Sequence, residues 1–424
     1  MIFSLDVRRA RKGDCLLLHS GTAKKPGLVM IDGGPKSVYK PFLKPRLEQI
    51  RAARGLDKQK PLPVDLLMVS HVDDDHIQGI LDLTGEMLAA VPPRMLRVQR
   101  FWHNSFDDII GNTPGELTAA VSAGFGPASL TGNLPADATV DSGEDEDVVR
   151  ASLQVLASIE QGHRLRDDAK KLGFGANDKL ILANQKAVTV AGLKLTVAGP
   201  MKPELLELQK KHDEWLKAQE KKKKTGAAAL AAYVDKSVPN LSSIVVHAKA
   251  GKESMLLTGD ARGDKIIEGM EMVGLLKPQG TMHVSVLKVP HHGSANNLTK
   301  DFFSRITADH YVFSGDGEHG NPERESMRML FDARGHDPFV IHLTYPVAEI
   351  DRERRKDWEI EQGKEKQRKK DGKSKKEPRE NWSAPKHGLA AFFKKVRLPE
   401  ERLRIVSEDS KKPHVIDLLE PLGF

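Results

Sequence analysis

One cysteine, Cys15, stands among 424 residues, so no internal disulfide can form. It lies in Gly13-Asp-Cys-Leu-Leu-Leu18, where a small buried residue is expected. No run of eighteen apolar residues occurs, and no membrane insertion is expected. A charged-then-apolar leader is missing too, because Met1-Ile-Phe-Ser-Leu-Asp-Val7 already has strand character, and a cytoplasmic location is the resulting expectation. No repeat period appears. A hydrophobic content of 39% supports an ordinary core, and the length fits one large elaborated α/β domain as well as two.

Against these absences stands one dense motif. Ser70-His-Val-Asp-Asp-Asp-His76 packs His71, Asp73, Asp75 and His76 into six residues, directly after the apolar run Asp65-Leu-Leu-Met-Val-Ser70. Four ligands this close strain to reach one ion, whereas their alternation can aim them at two neighbouring ions. Imidazole with carboxylate, and no thiolate, suits zinc, manganese or iron better than calcium. A calcium loop counted from Asp73 would put Gln78 where glycine is needed and Thr84 where glutamate is needed. The plain structural alternative is an Asp-rich cap on a helix opening at Ile77.

Two later segments repeat the pattern. Ser254-Met-Leu-Leu-Thr-Gly-Asp260 is a short apolar strand ending in a carboxylate. Val284-Ser-Val-Leu-Lys-Val-Pro-His-His-Gly-Ser294 is another, ending in His291 and His292. Strands of buried type that each release ligand-type residues at the carboxyl end are the sequence signature of an α/β site.

With these residues, the chain resembles the metallo-β-lactamase fold superfamily of metallohydrolases. It is most similar to the lactamase-like domain of DNA-uptake competence channel proteins and its free-standing relatives, which share the His-x-Asp-x-Asp-His, Thr-Gly-Asp and Lys-x-x-His-His-Gly-Ser motifs. The likeness covers residues 1 to about 325. It implies an αββα sandwich; the sequence itself adds helical or loop insertions at about 104–180 and 202–236, and a C-terminal αβ extension over 326–424, read as a cap appended to the same body. The resemblance also implies two divalent ions, zinc or alternatively manganese. His71 and Asp73 would serve the first ion, Asp75 and His76 the second, and Asp260 would bridge them. One of His291 and His292 would complete the second ion, with His291, nearer the strand end, preferred. The superfamily histidine that usually precedes the bridging aspartate has no clean match, since Leu193-Lys-Leu-Thr-Val-Ala-Gly-Pro200 ends without a ligand. His103, in Arg100-Phe-Trp-His-Asn-Ser-Phe106, is the substitute candidate.

Such a site would hydrolyse through a hydroxide bridged by two metal ions, with Asp75, Asp260, His292, Lys288 and His319 as the residues expected to carry catalysis. Asp32, after Gly27-Leu-Val-Met-Ile31, could orient a ligand histidine or sit in a turn beside two glycines. Lys288 and Ser294 flank the histidine pair and could steady an oxyanion or frame the turn. His319 lies on the glycine-rich loop after His310-Tyr-Val-Phe-Ser314, as a substrate-side acid or phosphate contact.

The net charge of +7 is unevenly placed. Residues 352–380 hold 13 Lys/Arg against 8 Asp/Glu, so most of the surplus sits in one tract. That tract reads as a solvated helix or loop, or as a basic arm for a phosphate backbone. Pro203–Lys217 reads as an amphipathic helix, and the acidic run Asp141–Asp147 would repel nucleic acid. The leading expectation is a phosphodiesterase or nuclease acting on nucleic acid or a nucleotide. Carboxyl-ester, lactone or lactam hydrolysis, and a non-catalytic binding subunit that keeps the fold, are the alternatives.

Overall fold

The apolar runs of the sequence become strands buried on both faces, which is why they show little polar alternation. The computed structural model describes residues 1–105, 160–206 and 242–424, apart from 58, 92, 93, 178 and 204. The acidic run at 141–147 and most of the amphipathic segment at 203–217 lie outside the described residues.

The chain is mixed α/β. A six-stranded sheet contains β1 (Ile2–Val7), β2 (Leu16–Thr22), β3 (Lys25–Ile31), β5 (Leu66–Met68), β7 (Phe101–Trp102) and β16 (Val415–Asp417), in the order β16-β1-β2-β3-β5-β7. β4 (Leu62–Val64) and β6 (Leu96–Val98) pair separately. An eight-stranded sheet runs β15-β14-β13-β12-β11-β10-β9-β8. Its members are β8 (Val188–Val190), β9 (Leu193–Gly199), β10 (Val245–Ala250), β11 (Glu253–Leu257), β12 (Met282–Lys288), β13 (Ile306–Phe313), β14 (Val340–Leu343) and β15 (Leu403–Ile405).

Each sheet begins as an antiparallel meander and continues parallel, from β3 to β5 to β7 in the first and from β11 through β15 in the second. The inner faces meet in one core, where Phe3, Leu18, Val29 and Met68 join Val246, Met255, Leu257 and Val286. The outer face of the first sheet is covered by α1 (Lys44–Ala53), α2 (Asp74–Ala89) and α3, described over 160–172, through Leu47, Ile80 and Leu165. The outer face of the second is covered by α4 (Gly263–Met272), α5 (Lys300–Arg305), α6 (Arg324–Arg334) and the short helix Leu389–Lys395, through Ile266, Phe302, Leu330 and Phe392.

Residues beyond 325, expected as an appended cap, supply strands to both sheets. β14 and β15 extend the second sheet, while β16 pairs antiparallel with β1 at the edge of the first. The basic tract begins as the exposed helix α7 (Val347–Lys370) and continues into the following loop. Several of its charges are matched internally, as in Arg355–Glu359 at 2.8 Å and Arg379–Glu365 at 2.7 Å. Among the described residues, no helix is long and apolar enough to cross a membrane.

Candidate metal centre

The parallel strands aim their carboxyl ends at one place, where unpaired backbone and short loops can present side chains. β3 releases Asp32, β5 releases Ser70 through His76, β11 releases Asp260, β12 releases His291 and His292, and β13 releases Ser314. Two close approaches fix the motif loop. A Cβ on Gly79 would lie 1.9 Å from the Gly33 carbonyl oxygen, and one on Gly13 would lie 1.8 Å from that of Asp75. Only glycine lets α2 dock on the end of β3 and the loop after β1 dock on the motif.

Asp73 is the residue at the amino-terminal cap of α2, yet its side chain makes no capping hydrogen bond. The helix that the capping alternative expected to open at Ile77 begins three residues earlier, at Asp74, and the Asp73 carboxylate stays available. Asp75 lies in the first turn, where the helix dipole favours negative charge.

Four residues form the largest group of ligand-type side chains among the described residues: Asp75, His76, Asp260 and His292. His76 Nε2 is 3.3 Å from Asp260 Oδ1, and His292 Nε2 is 3.3 Å from Asp260 Oδ2 and 3.6 Å from Asp75 Oδ2. His71, Asp73 and Asp75 form a second group, with His71 Nε2 3.8 Å from Asp260 Oδ2. Asp260 thus stands between the two sets. His291, preferred in sequence to complete the second ion, instead lies at the more exposed side, its Nε2 3.6 Å from Asp260 Oδ2, and His292 occupies the compact group.

The donor chemistry fits a divalent cation. Nε2 of His71, His76 and His292, together with Asp260 Oδ1, are buried and have no hydrogen-bond partner among the described residues. Burying such atoms without partners costs several kcal/mol by general transfer arguments, roughly 1–3 each from mutational data. An ion would satisfy them together.

Supporting groups hold the opposite ring nitrogens. Asp32 Oδ2 is 2.9 Å from His76 Nδ1, and Asp32 also accepts hydrogen bonds from the Ser70 amide and hydroxyl at 2.7 Å. Ser70 Oγ is 3.1 Å from His71 Nδ1. His292 Nδ1 lies 2.9 Å from Ser314 Oγ, which donates to Asp14 Oδ1 at 2.5 Å. Asp14 is ion-paired with Lys288.

Electrostatics follow from this packing. Burial alone would raise the Asp260 and Asp75 carboxyls, but neighbouring imidazoles hold both well below the ordinary carboxylate range. Burial likewise pushes the Asp14 carboxyl up, and Lys288 and His292 outweigh it. Burial opposes charge on His292, yet Asp260 and Asp14 raise its pKa to about 10. His76 is also raised well above its usual value, by Asp260, Asp32 and Asp75 acting against burial. Carboxylates crowd these rings so closely that the pocket favours positive charge despite its dry interior, whether a ring proton or a bound cation supplies it.

Of nine described non-glycine residues with positive φ, four are Asp32, His291, His292 and His319. Backbone strain of this kind gathers at functional sites, where the surrounding structure holds it.

Other expected residues sit elsewhere. His103 is buried after β7 and belongs to neither group; its backbone amide bonds to Asn177 and the next residue, Asn104, bonds reciprocally to Ile181. His319 is exposed and lies 3.0 Å from Lys12 Nζ. Lys288 is 1% exposed; its ammonium meets Asp14, donates to the Gly259 carbonyl and stays 3.9 Å from Asp260 Oδ1, a supporting position behind the cluster. Asp14 and Ser314 escaped sequence reasoning as supporting groups. The only signal for the first is the Gly13-Asp14 pair between two apolar runs.

No protein-family model matches this chain, and no curated protein matches it.

Proposed function

We propose that the protein is a metal-dependent hydrolase of metallo-β-lactamase type, its four layers an αββα sandwich, and that its substrate is a phosphodiester of a nucleic acid or nucleotide. The observation that carries the hydrolase reading is the convergence of four buried ligand-type atoms, on three imidazoles and Asp260, that have no hydrogen-bond partner among the described residues. Asp75, His76, Asp260 and His292 would hold one ion. His71 and Asp73 would hold the other, with Asp260 shared, and His103 is left out of the set. Two divalent ions held in this way supply Lewis acidity and an activated water at neutral pH.

The chain's own residues do the rest. Asp32 and Ser70 fix the rings of His76 and His71, so the ligand atoms need little reorganisation. His291, the more exposed imidazole beside Asp260, takes the substrate side. Lys288, sealed against Asp14, offsets the buried negative charge rather than meeting a substrate oxygen. The phosphodiester assignment is supported by the motif resemblance, the all-nitrogen-and-oxygen donor set and the basic helix α7, whose start packs on the loop of His319.

The test is hydrolysis of a chromogenic phosphodiester with zinc or manganese, comparing the native protein with Asp260→Ala, alongside metal analysis of both. Native turnover that falls to background in the variant is expected. Metal binding without phosphodiester turnover would move the assignment to carboxyl-ester, lactone or lactam substrates, or to a binding subunit. A native protein that takes up neither ion would end the metallohydrolase reading.

A further inference from the structure

His292 differs from His76 in the compact group: its outer nitrogen lies nearest a hydroxyl, Ser314 Oγ at 2.9 Å, with the Asp14 carboxylate behind that hydroxyl and 3.5 Å from the same nitrogen. Each polar atom in this relay has a fixed role. Lys288 can only donate, and it meets Asp14 Oδ2; Ser314 meets the other oxygen, Oδ1, at 2.5 Å. An ionised carboxylate only accepts, so the single hydroxyl hydrogen of Ser314 is committed to Asp14. Ser314 Oγ then has only lone pairs to offer His292 Nδ1, 2.9 Å away. The shared hydrogen must come from the imidazole.

We propose that Lys288, Asp14 and Ser314 form a tautomer lock that keeps the proton of His292 on Nδ1 and so presents the Nε2 lone pair to the metal. Asp14, Ser314 and Lys288 are positioning residues here, acting through His292. All three are buried, so water does not compete for these hydrogen bonds. The relay also ties the loop after β1 to the end of β13, across 300 residues of sequence. It rests on the reading of His292 as a metal ligand.

Asp14→Asn tests the direction of the relay, because it preserves size. The introduced amide must turn its carbonyl to the Lys288 ammonium, which leaves its NH2 group to donate to Ser314. The hydroxyl then donates to His292 Nδ1, and the ring proton moves to Nε2, against the ion. Ser314→Ala removes the acceptor without imposing the wrong tautomer. Zinc affinity, measured by competition with a chromophoric chelator, should fall by about ten- to a hundredfold in Ser314→Ala and by at least as much in Asp14→Asn. Ring-nitrogen NMR of the zinc-loaded native protein, which needs no variant, should show His292 protonated at Nδ1.

Native zinc affinity in both variants would overturn the lock while leaving the metal site standing, as would a proton on His292 Nε2 in the loaded native protein. Failure of the native protein to bind zinc at all would remove the metal-site reading and the lock with it.

Discussion

The molecule holds two sets of histidines, one buried and one partly buried, and they behave in opposite ways. At the candidate metal centre, His76 and His292 stand among Asp14, Asp32, Asp75 and Asp260, and their pKa values are raised. Towards the β15 and β16 edges of the sheets, His310, His342 and His414 form a chain, with His310 Nδ1 3.0 Å from His342 Nε2 and His342 Nδ1 2.8 Å from His414 Nε2. Here burial dominates: His342 falls to about 2, helped by His414, His310 and Arg404, and His414 falls to about 4 despite the pull of Asp6. His310 is lowered as well, with Asp309 only partly opposing. Desolvation disfavours charge in both places, so carboxylate contact decides the outcome. One set could hold a cation; the other is a neutral hydrogen-bonded strut between β13, β14 and the segment entering β16.

The strongest way to break this contrast is to take a carboxylate from the first set. Asp32→Asn removes the charge 2.9 Å from His76 Nδ1 while keeping its size. Its ring then loses both its orientation and part of its basicity. Zinc affinity should drop by about ten- to a hundredfold, corresponding to roughly 1.4–2.8 kcal/mol. A calorimetric titration that gave the native affinity would show that the carboxylate is a turn residue and that the contrast has another origin.

A smaller effect sharpens the other side. The folded state keeps His342 and His414 neutral below the pH at which the unfolded chain, near 6.5, begins to take up protons. The stability from this strut is therefore complete above about pH 6.5 and is lost as pH falls towards 4, by at most about 1.4 kcal/mol per pH unit for each ring. Asp309 faces His310, Arg404 faces His342, and Asp6, Arg8 and Arg404 face His414, so none of the three rings has the carboxylate cage of the metal centre. His342→Gln can still donate and accept, and it does not titrate. Urea unfolding at a series of pH values should show a shallower acid loss in this variant, with zinc affinity at neutral pH unchanged. Equal acid slopes in the two proteins would reject the strut as the source.

The grouping of the candidate metal ligands was legible because parallel strands buried on both faces read as apolar runs, and the residues after each run mark the carboxyl ends. His71 through His76, Asp260 and the His291–His292 pair all declared themselves in that way. The choice between His291 and His292 was not legible, since both adopt positive φ and a sharp turn reverses which ring points inward. Asp14 was hidden because the side chains it holds most closely, Lys288 and Ser314, are 274 and 300 residues distant and its chemistry exists only after both sheets have assembled. The imidazole strut was hidden for the same reason: a lone histidine within an apolar strand carries no sign of what lies across from it. The tail of the chain misled as well. Its short strands look independent in sequence, yet they complete the edges of both sheets.

The smallest expected change concerns charge that is exposed rather than buried, and it limits how far the contrast extends. On α7 and the loop after it, Lys364 meets Glu361 at 2.9 Å and Lys369 meets Glu377 at 2.5 Å, pairs of the exposed kind that contribute about 0–1 kcal/mol. Lys370, Lys373, Lys375 and Lys376 make no ion pair among the described residues. Replacing these four by Gln should leave stability within about 0.5 kcal/mol of native and leave zinc uptake unaltered. Nucleic-acid affinity should respond differently, because it would draw on counterion release. If the four lysines contact phosphates, the slope of log affinity against log salt becomes shallower by about 0.9 for each duplex contact removed. An unchanged slope would take this tract out of substrate capture and leave α7 as a solvated support for the loop of His319. A buried carboxylate at the centre would then change ion binding at a single position, whereas four exposed lysines together would change nothing, a difference set by solvent rather than by charge number.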